Sequence, residues 1–217
     1  MTSSKAISIE MIRRLPRYHD VISTSIKNGA ETISTSVIAE HLNLEPILVR
    51  KDLEQIGAQG KPRIGFVATE LIGKIADFLG WGSLDKIVLV GCGSLGSALL
   101  GYKGFARGGF DIVAGFDVDE DKIGGTIHAK KVLPLSKFSD LCRRMHIELG
   151  IISVPAEHAQ SIADLMVESG IRGIWNFSPS ALKTPKNVIV HQEDIATSLV
   201  ILIKKMNRVK NEERSDD

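Results

Sequence analysis

Ile87-Val88-Leu89-Val90-Gly91-Cys92-Gly93-Ser94-Leu95-Gly96 is the stretch that decides the fold. A short apolar, β-branched run stops at a glycine cluster, and an Ala/Leu-rich segment of helical character follows, which predicts a strand, a glycine turn and a helix start. A dinucleotide pyrophosphate needs this arrangement. Gly91 permits the tight turn, Gly93 lets the backbone approach the phosphates, and Gly96 lets helix and strand pack closely. The helix start at Ser94 and Leu95 presents free N–H groups and the positive end of its dipole to the anion. A second run, Phe110-Asp111-Ile112-Val113-Ala114-Gly115-Phe116, ends in Asp117, twenty-one residues past Gly96. An acid at that distance accepts hydrogen bonds from the adenine-side ribose. Val118 and Asp119 follow where an arginine would suit NADP, and two carboxylates repel the extra phosphate, so the expected cofactor is NAD(H). A glycine turn alone is common after strands; here it has its strand, its helix and its acid.

The βαβ rhythm continues downstream. Lys131-Val132-Leu133-Pro134 reads as a third strand, and 136–146 reads as a helix. Leu149 to Val154 is a buried strand ending at Pro155, Ala159 to Met166 lies on a helix, and Ile174-Trp175-Asn176-Phe177 and Val188-Ile189-Val190 are further strands. Such alternation implies a parallel sheet covered on both faces, with ligands beyond the strand C-termini. Three loops are therefore candidates for the nicotinamide half: Ser153-Val154-Pro155, Asn176-Phe177-Ser178-Pro179 and the turn after Gly91. A last helix, about Glu193 to Asn207, carries Ile195, Leu199, Leu202, Ile203 and Met206 on one face and needs a packing partner, for which a second subunit is the natural candidate. Lys210 to Asp217 is charge-dense and is expected to be disordered.

Upstream of the central strand the rhythm is helical, with a boundary near Gly80-Trp81-Gly82-Ser83. The domains are read as 1–80, 81–192 and 193–217. Tyr18, Val21, Ile22, Ser25 and Ile26 recur at helical spacing; Ser34-Thr35-Ser36 offers N-cap hydroxyls to a second helix; Asn43-Leu44 turns into a third, with Pro46 in its first turn. On that third helix Val49, Leu53 and Ile56 face the core, and Arg50 and Lys51 point elsewhere. Two short helices about a tight turn, the second displaying cations, match a helix-turn-helix. The glycine-rich excursion Gly57 to Phe66 would serve as a wing, with Lys61 and Arg63 reaching phosphate or minor groove.

Charge tests that reading, because DNA affinity rests on phosphate neutralisation. Residues 1–80 hold ten Lys/Arg against nine Asp/Glu, so the positive charge is local: Lys5, Arg13, Arg14 and Arg17 face only Glu10, and Arg50, Lys51, Lys61 and Arg63 face only Asp52 and Glu54. A solvated protein-interaction domain is an even rival on charge alone; the turn and wing favour DNA. The whole chain, with net charge +1, says nothing by itself about nucleic acid or membranes. Two cysteines give neither metal spacing nor a disulfide framework, so no metal is expected and a reduced cytosol is the simplest setting. Met1 to Ala6 lacks the apolar core of a signal peptide and no run approaches a membrane span, which predicts a cytoplasmic protein without a membrane. Cys92 lies near a helix N-terminus that could lower its pKa; a small residue filling a crowded turn is the simpler reading.

The chain resembles the redox-sensing transcriptional repressor family Rex over nearly its whole length. The resemblance is carried by Arg13-Arg14-Leu15-Pro16, Val49-Arg50-Lys51-Asp52-Leu53, the stretch from Leu89 to Gly96, Gly101-Tyr102-Lys103-Gly104-Phe105, and Phe116-Asp117-Val118-Asp119. Val154-Pro155 with Ala159-Gln160, Gly170 to Ile174, and Asn176-Phe177 before Pro179 extend it. It implies an α/β architecture: an N-terminal winged helix-turn-helix domain, a Rossmann-like NAD(H)-binding domain and a C-terminal helix exchanged between the subunits of a homodimer. It further implies a repressor that binds a palindromic operator when NAD⁺ predominates and releases it when NADH binds. Tyr102 and Asp194 match family positions near the nicotinamide and the domain interface, with Arg13 or Arg14 as interdomain partner, and Arg14 and Ser34 join Arg50, Lys51, Lys61 and Arg63 at the DNA. Glu54, Gln55 and Ile56 replace the family's usual Ser, Tyr or Phe, and Phe; Pro62-Arg63 and Phe66 replace its Arg-Gly and Tyr. Those departures fall on the DNA-facing part and bear on operator preference, not on cofactor.

The main rival is a small NAD-dependent dehydrogenase with an accessory helical domain. That reading needs a general acid or base and a substrate cavity. His19, His41, His128, His146, His158 and His191 are scattered over helices and loops, and the extra domain precedes the glycine turn, so a sensor without catalytic residues is the expected class. A nucleotide-binding interaction module without DNA activity is the third reading.

Overall fold

The computed structural model describes residues 8–81 and 85–213. Expectations placed on Met1 to Ala6, on the Lys5 charge, on Gly82 and Ser83, and on residues 214–217 lie outside them. The chain divides into two compact units, Met1–Ser83 and Leu84–Asp217.

The first unit begins with helix α1 (Ile9–Lys27), capped by Ser8, whose hydroxyl accepts from the Met11 N–H at 3.1 Å. It runs unbroken through Pro16, where a missing N–H would ordinarily break a helix. Burial of Leu15 and Tyr18 on either side, with Met11 and Ile22 on the same face, offsets that loss, and Ile9 and Ile12 stay exposed. Strand β1 (Thr32–Ile33) pairs antiparallel with β2 (Phe66–Val67), and between them lie α2 (Thr35–Leu42), α3 (Pro46–Gln55) and the wing. Ser34 caps α2 by accepting from Val37 N–H at 3.2 Å, and Asn43 closes it in the left-handed conformation that asparagine tolerates. Helix α4 (Ala68–Phe78) closes a core built from Leu15, Tyr18, Ile38, Val49, Leu53, Leu71 and Ile75.

One polar group is buried in that core. Asp52, on the inner side of α3, receives Arg14 through two bonds, Nε to Oδ2 at 2.7 Å and Nη2 to Oδ1 at 2.9 Å, and the Tyr18 hydroxyl donates to Oδ2 at 2.7 Å. The Asp52 carboxylate, through its hydrogen bond above all, raises the already high Arg14 value. Burial first and Asp52 second push the Tyr18 phenol up, so it stays a donor.

The second unit is a seven-stranded sheet in the order β5-β6-β4-β3-β7-β8-β9, made of β3 (Asp85–Val90), β4 (Phe110–Asp117), β5 (Thr126–Ile127), β6 (Lys130–Pro134), β7 (Leu149–Ile152), β8 (Gly173–Asn176) and β9 (Ile189–Gln192). All neighbours are parallel except the edge strand β5, which pairs antiparallel with β6. Without β5 this is the doubly wound order of a dinucleotide-binding sheet, and its direction reverses between β3 and β7. Helices α5 (Ser94–Leu100), α6 (Gly104–Arg107), α7 (Phe138–Met145) and α8 (Ala156–Glu168) make the crossovers, and α9 (Ile195–Glu213) ends the chain.

Three expectations need correction. The hairpin β5–β6 was not foreseen, because its turn uses His128 and Ala129 at positive φ in place of glycine or asparagine. Helix α7 starts at Phe138, after a short 3₁₀ turn over Leu135–Lys137, and not at 136. Disorder from Lys210 does not hold over 210–213, which continue α9. A helix already nucleated extends cheaply through Lys, Arg, Asn and Glu. Among the described residues no helix is long and apolar enough to cross a membrane, and no group of three His, Cys, Asp or Glu could hold a metal.

Replacing Arg14 with Met strands a buried carboxylate and should cost about 3–5 kcal/mol, whereas Tyr18→Phe removes one charge-assisted bond and should cost about 1.5–3 kcal/mol. Denaturant unfolding of the full chain checks both; a loss below about 1 kcal/mol for Arg14→Met would make the contact peripheral to the stability of this unit.

Candidate functional site

Three glycines shape the turn after β3, each for a different reason. Gly91 has φ +98°, and a Cβ there would stand 2.5 Å from the Ser153 carbonyl oxygen. A Cβ on Gly96 would collide with the Gly91 carbonyl oxygen, so α5 can start this close to β3 only with glycine. At Gly93 a Cβ would meet nothing, which leaves open space beside the backbone. Ser153, at the end of β7, donates to the carbonyls of Gly91 at 2.8 Å and Val90 at 3.3 Å and stitches the two central strands together at the switch point. Ser94 and Leu95, both exposed, form the first turn of α5, whose amides have no acceptors within the helix.

This turn floors a cleft of about 440 Å³ lined by Val90, Gly91, Gly93, Asp117, Val118, Lys122, Leu135, Ser153, Val154, Pro155, His158, Ser161 and Ile162. Of the expected cofactor residues, Gly91, Gly93, Asp117, Val118, Val154 and Pro155 meet there. Asp117 accepts from the N–H groups of Cys92 at 2.8 Å, Val118 at 2.8 Å and Asp119 at 3.0 Å. Burial disfavours its charged form, but these three donors and the Lys122 ammonium together outweigh burial and hold the carboxyl below the ordinary aspartate value.

Lys122 was missed in the sequence, although a cation five residues past Asp117 was there to be read. It lies 2.9 Å from Asp119 and 3.5 Å from Asp117, so the two carboxylates held to repel a further phosphate are not bare: the trio carries one net negative charge. His158 and Ser161, on α8, also line the cleft unforeseen; the helical spacing of the buried residues on α8 gave no cue to its other face.

Asn176, Phe177 and Ser178 do not line this cleft. Phe177 lines a neighbouring hollow of about 590 Å³ together with Ala181, Leu182, Gln192, Glu193, Asp194 and Ile195, while Asn176 and Ser178 are buried. Asp194 caps α9, accepting from the Ala196 and Thr197 N–H groups and, at 2.6 Å, from the Thr197 hydroxyl. The Thr197 hydroxyl, then the backbone donors, hold its carboxyl below the ordinary value. Tyr102 is 59% exposed and packs edge-on against Phe105. Cys92 points inward, its Sγ 3.6 Å from the Phe116 carbonyl, and burial, with a smaller push from Asp117, raises its thiol to about 11. The helix start therefore does not activate it.

In the first unit, a groove of about 680 Å³ runs between the start of α2, α3 and the wing, lined by Ser34, Thr35, Arg50, Glu54 and the stretch from Ala58 to Phe66, Lys61 and Arg63 included. The wing is closed by paired backbone bonds between Lys61 and Gly65, with Arg63 at φ +64° near its tip. Arg50 pairs with Glu54 at 3.5 Å in the open, Lys51 is exposed beside them, and Arg13 pairs with Glu10. Arg14 lies elsewhere than expected: its guanidinium is turned inward to Asp52, where it holds α3 against α1.

Two family models match the chain, one described as a CoA binding domain over residues 83–180 and one as a putative DNA-binding protein N-terminus over residues 6–54. A redox-sensing transcriptional repressor Rex from Treponema denticola is 40% identical over 210 residues, covering 97% of this chain and 100% of that protein. One from Carboxydothermus hydrogenoformans is 38% identical, covering 91% and 95%. Among solved structures, RSP in complex with β-NAD⁺ and operator DNA has a TM-score of 0.85 at 30% identity, covering 97% of each chain; RSP with β-NADH has a TM-score of 0.82 at 30% identity, covering 97% and 99%.

Asp117→Asn keeps one acceptor for the turn amides and should weaken NADH by about 10- to 100-fold, the worth of a charged hydrogen bond, in a fluorescence titration. Because the folded carboxyl titrates below its unfolded value of about 3.9, its stabilisation is present above that value and is lost as pH falls through the lower one; acid unfolding of wild type and Asp117→Asn should converge only at the acid end. Native protein should resist a thiol reagent at pH 8, with Cys92 labelling fast only after unfolding.

Proposed function

The chain belongs to the Rex family of redox-sensing transcriptional repressors, and from that premise we propose that it holds NAD(H) in the Asp117 cleft and operator DNA along the groove of α3 and the wing. What carries this reading is one chain with both features, aligned over 97% of its length with a repressor solved with β-NAD⁺ and operator DNA. The relatives named as repressors match this chain nearly end to end, which favours regulation over turnover and counts against the dehydrogenase alternative.

Asp117 takes the adenine-side ribose, the open face at Gly93 and the first turn of α5 take the pyrophosphate, and Val154-Pro155 with Asn176-Phe177-Ser178 border the nicotinamide. Arg50, Lys51, Lys61 and Arg63 meet DNA phosphate and groove, and Arg14 acts behind them by fixing α3. A homodimer presents two recognition helices to a palindrome, and exchange of α9 supplies a cover for its apolar residues. Tyr102 and Asp194 read the ring's redox state. The protein works in the cytoplasm, where its DNA is.

NAD⁺ and NADH differ by one charge and the planarity of one ring, so the response requires that one arrangement of the dimer bind the reduced ring better. The decisive experiment titrates DNA binding against the NADH/NAD⁺ ratio at fixed total dinucleotide, on duplexes selected by this protein from a random pool. DNA should be released as the ratio rises, and DNA should weaken NADH by the same factor by which NADH weakens DNA. Turnover of a metabolite with the coenzyme, without salt-sensitive DNA binding, would overturn the reading.

A further inference from the structure

The loop after β8 and the root of α9 are tied together by a set of side-chain bonds that neither the glycine cleft nor the DNA groove uses. Asn176 ends β8 and sits opposite Gln192, the last residue of β9. The Asn176 amide donates to the carbonyl of Ser180 at 2.8 Å, to the carbonyl of Ser178 at 3.3 Å and to the Gln192 side-chain oxygen at 2.7 Å, and its own oxygen accepts from Ser178 N–H at 3.0 Å. Gln192 returns the contact: its amide nitrogen donates to the carbonyls of Ser178 at 2.8 Å and Asn176 at 3.3 Å. One strand position back, the Trp175 indole N–H donates to Glu193 at 3.1 Å. Two residues after Gln192, Asp194 caps α9.

Trp175 also continues a line of aromatic contacts, from Tyr102 to Phe105 at 5.0 Å, Phe105 to Trp175 at 6.1 Å and Trp175 to Phe177 at 4.7 Å. Tyr102 begins this line, and Asp194 shares a hollow with Phe177 at its other end. Among the described residues, the Ser178 hydroxyl is buried with no hydrogen-bond partner within the chain.

We propose that Gln192 is a positioning residue of the sensor, clamping the 176–180 loop to the root of α9 so that a shift of the loop becomes a shift of the helix. This rests on the assignment of Asn176-Phe177-Ser178 to the nicotinamide border and of α9 to the dimer. Gln192 acts through Asn176 and the Ser178 carbonyl. Its loss separates the two binding activities without abolishing either.

The test uses the full-length protein, a duplex selected by the wild type from a random pool, and three measurements: NADH affinity by fluorescence, DNA affinity in saturating NAD⁺, and the factor by which NADH weakens DNA. In Gln192→Met, which keeps the length and removes both hydrogen-bonding groups, each affinity should stay within about threefold of wild type while the coupling factor falls about tenfold or more. A coupling factor within about twofold of wild type would overturn the inference while leaving the proposed function standing. Should Gln192→Met fail to fold, Gln192→Glu decides in the same way, since it keeps the acceptor for Asn176 and loses the donors to the two carbonyls. A wild type that binds DNA and NADH without any coupling would overturn the proposed function itself, and this inference with it.

Discussion

Between the carbonyl of Gly91 and the backbone of Gly96 there is no room for a methyl group, and the rest of the second unit is arranged around that closeness. Because α5 starts hard against the end of β3, its first turn lies at the mouth of the sheet, level with the end of β7, where Ser153 binds back to Gly91. The same turn hands the Cys92 N–H to the Asp117 carboxylate at the end of β4, so three neighbouring strands converge on one point through bonds between side chains and the turn's backbone. The cleft is a consequence of that convergence: a sheet whose order reverses between β3 and β7 leaves a crevice there, and the glycines keep it unfilled.

This explains what could be read in advance and what could not. The glycine spacing and the terminal acid are local and periodic, so the strand, the turn, the helix and the acid at the end of the next strand were legible, and the parallel order followed from the alternation of elements. The partners of Asp52 were not. In sequence Asp52 is an acid next to Arg50 and Lys51; only the fold carries Arg14 thirty-eight residues across to it and turns it inward. Lys122 and the α8 residues of the cleft were obscured for a related reason, since polar residues on the open face of an amphipathic segment look alike whether they border a ligand or water. For Cys92 the sequence allowed an activated thiol but favoured a small residue filling a crowded turn, and its direction, into the β4 side under Gly115, buries it as the simpler reading expects.

The burial of Asp52 also changes the charge argument for the first unit. Counted along the chain, acids nearly balance cations, and the recognition segment has two of each on α3. In the fold one of those acids is internal and matched by Arg14, so the exposed side of α3 shows Arg50 and Lys51 against Glu54 alone. The Arg50–Glu54 pair is solvent-exposed, and such pairs are worth only about 0.3–0.5 kcal/mol, so a phosphate can take the guanidinium over at little cost. A near-neutral domain can thus present a basic edge, provided the compensating acid is placed inside.

Helix α9 supplies the last step. Leu199, Val200, Ile201, Leu202 and Ile203 are consecutive and each remains more than half exposed, as are Ile195 and nearly half of Met206. Five successive apolar residues advance about 100° each and so go round the helix, leaving no side for water. A helix of that kind needs enclosure from more than one direction, more than docking along a single stripe would give. Exchange between two subunits, as proposed above, would meet that need and would tie the burial of α9 to the arrangement of a dimer. The root of this helix is the Asp194 cap, joined through Gln192 and Glu193 to strand β8 and the 176–180 loop. On the proposed function, a cofactor-dependent change in that loop would act on the element that has the most exposed apolar surface to place, where a small displacement would carry a large free-energy difference.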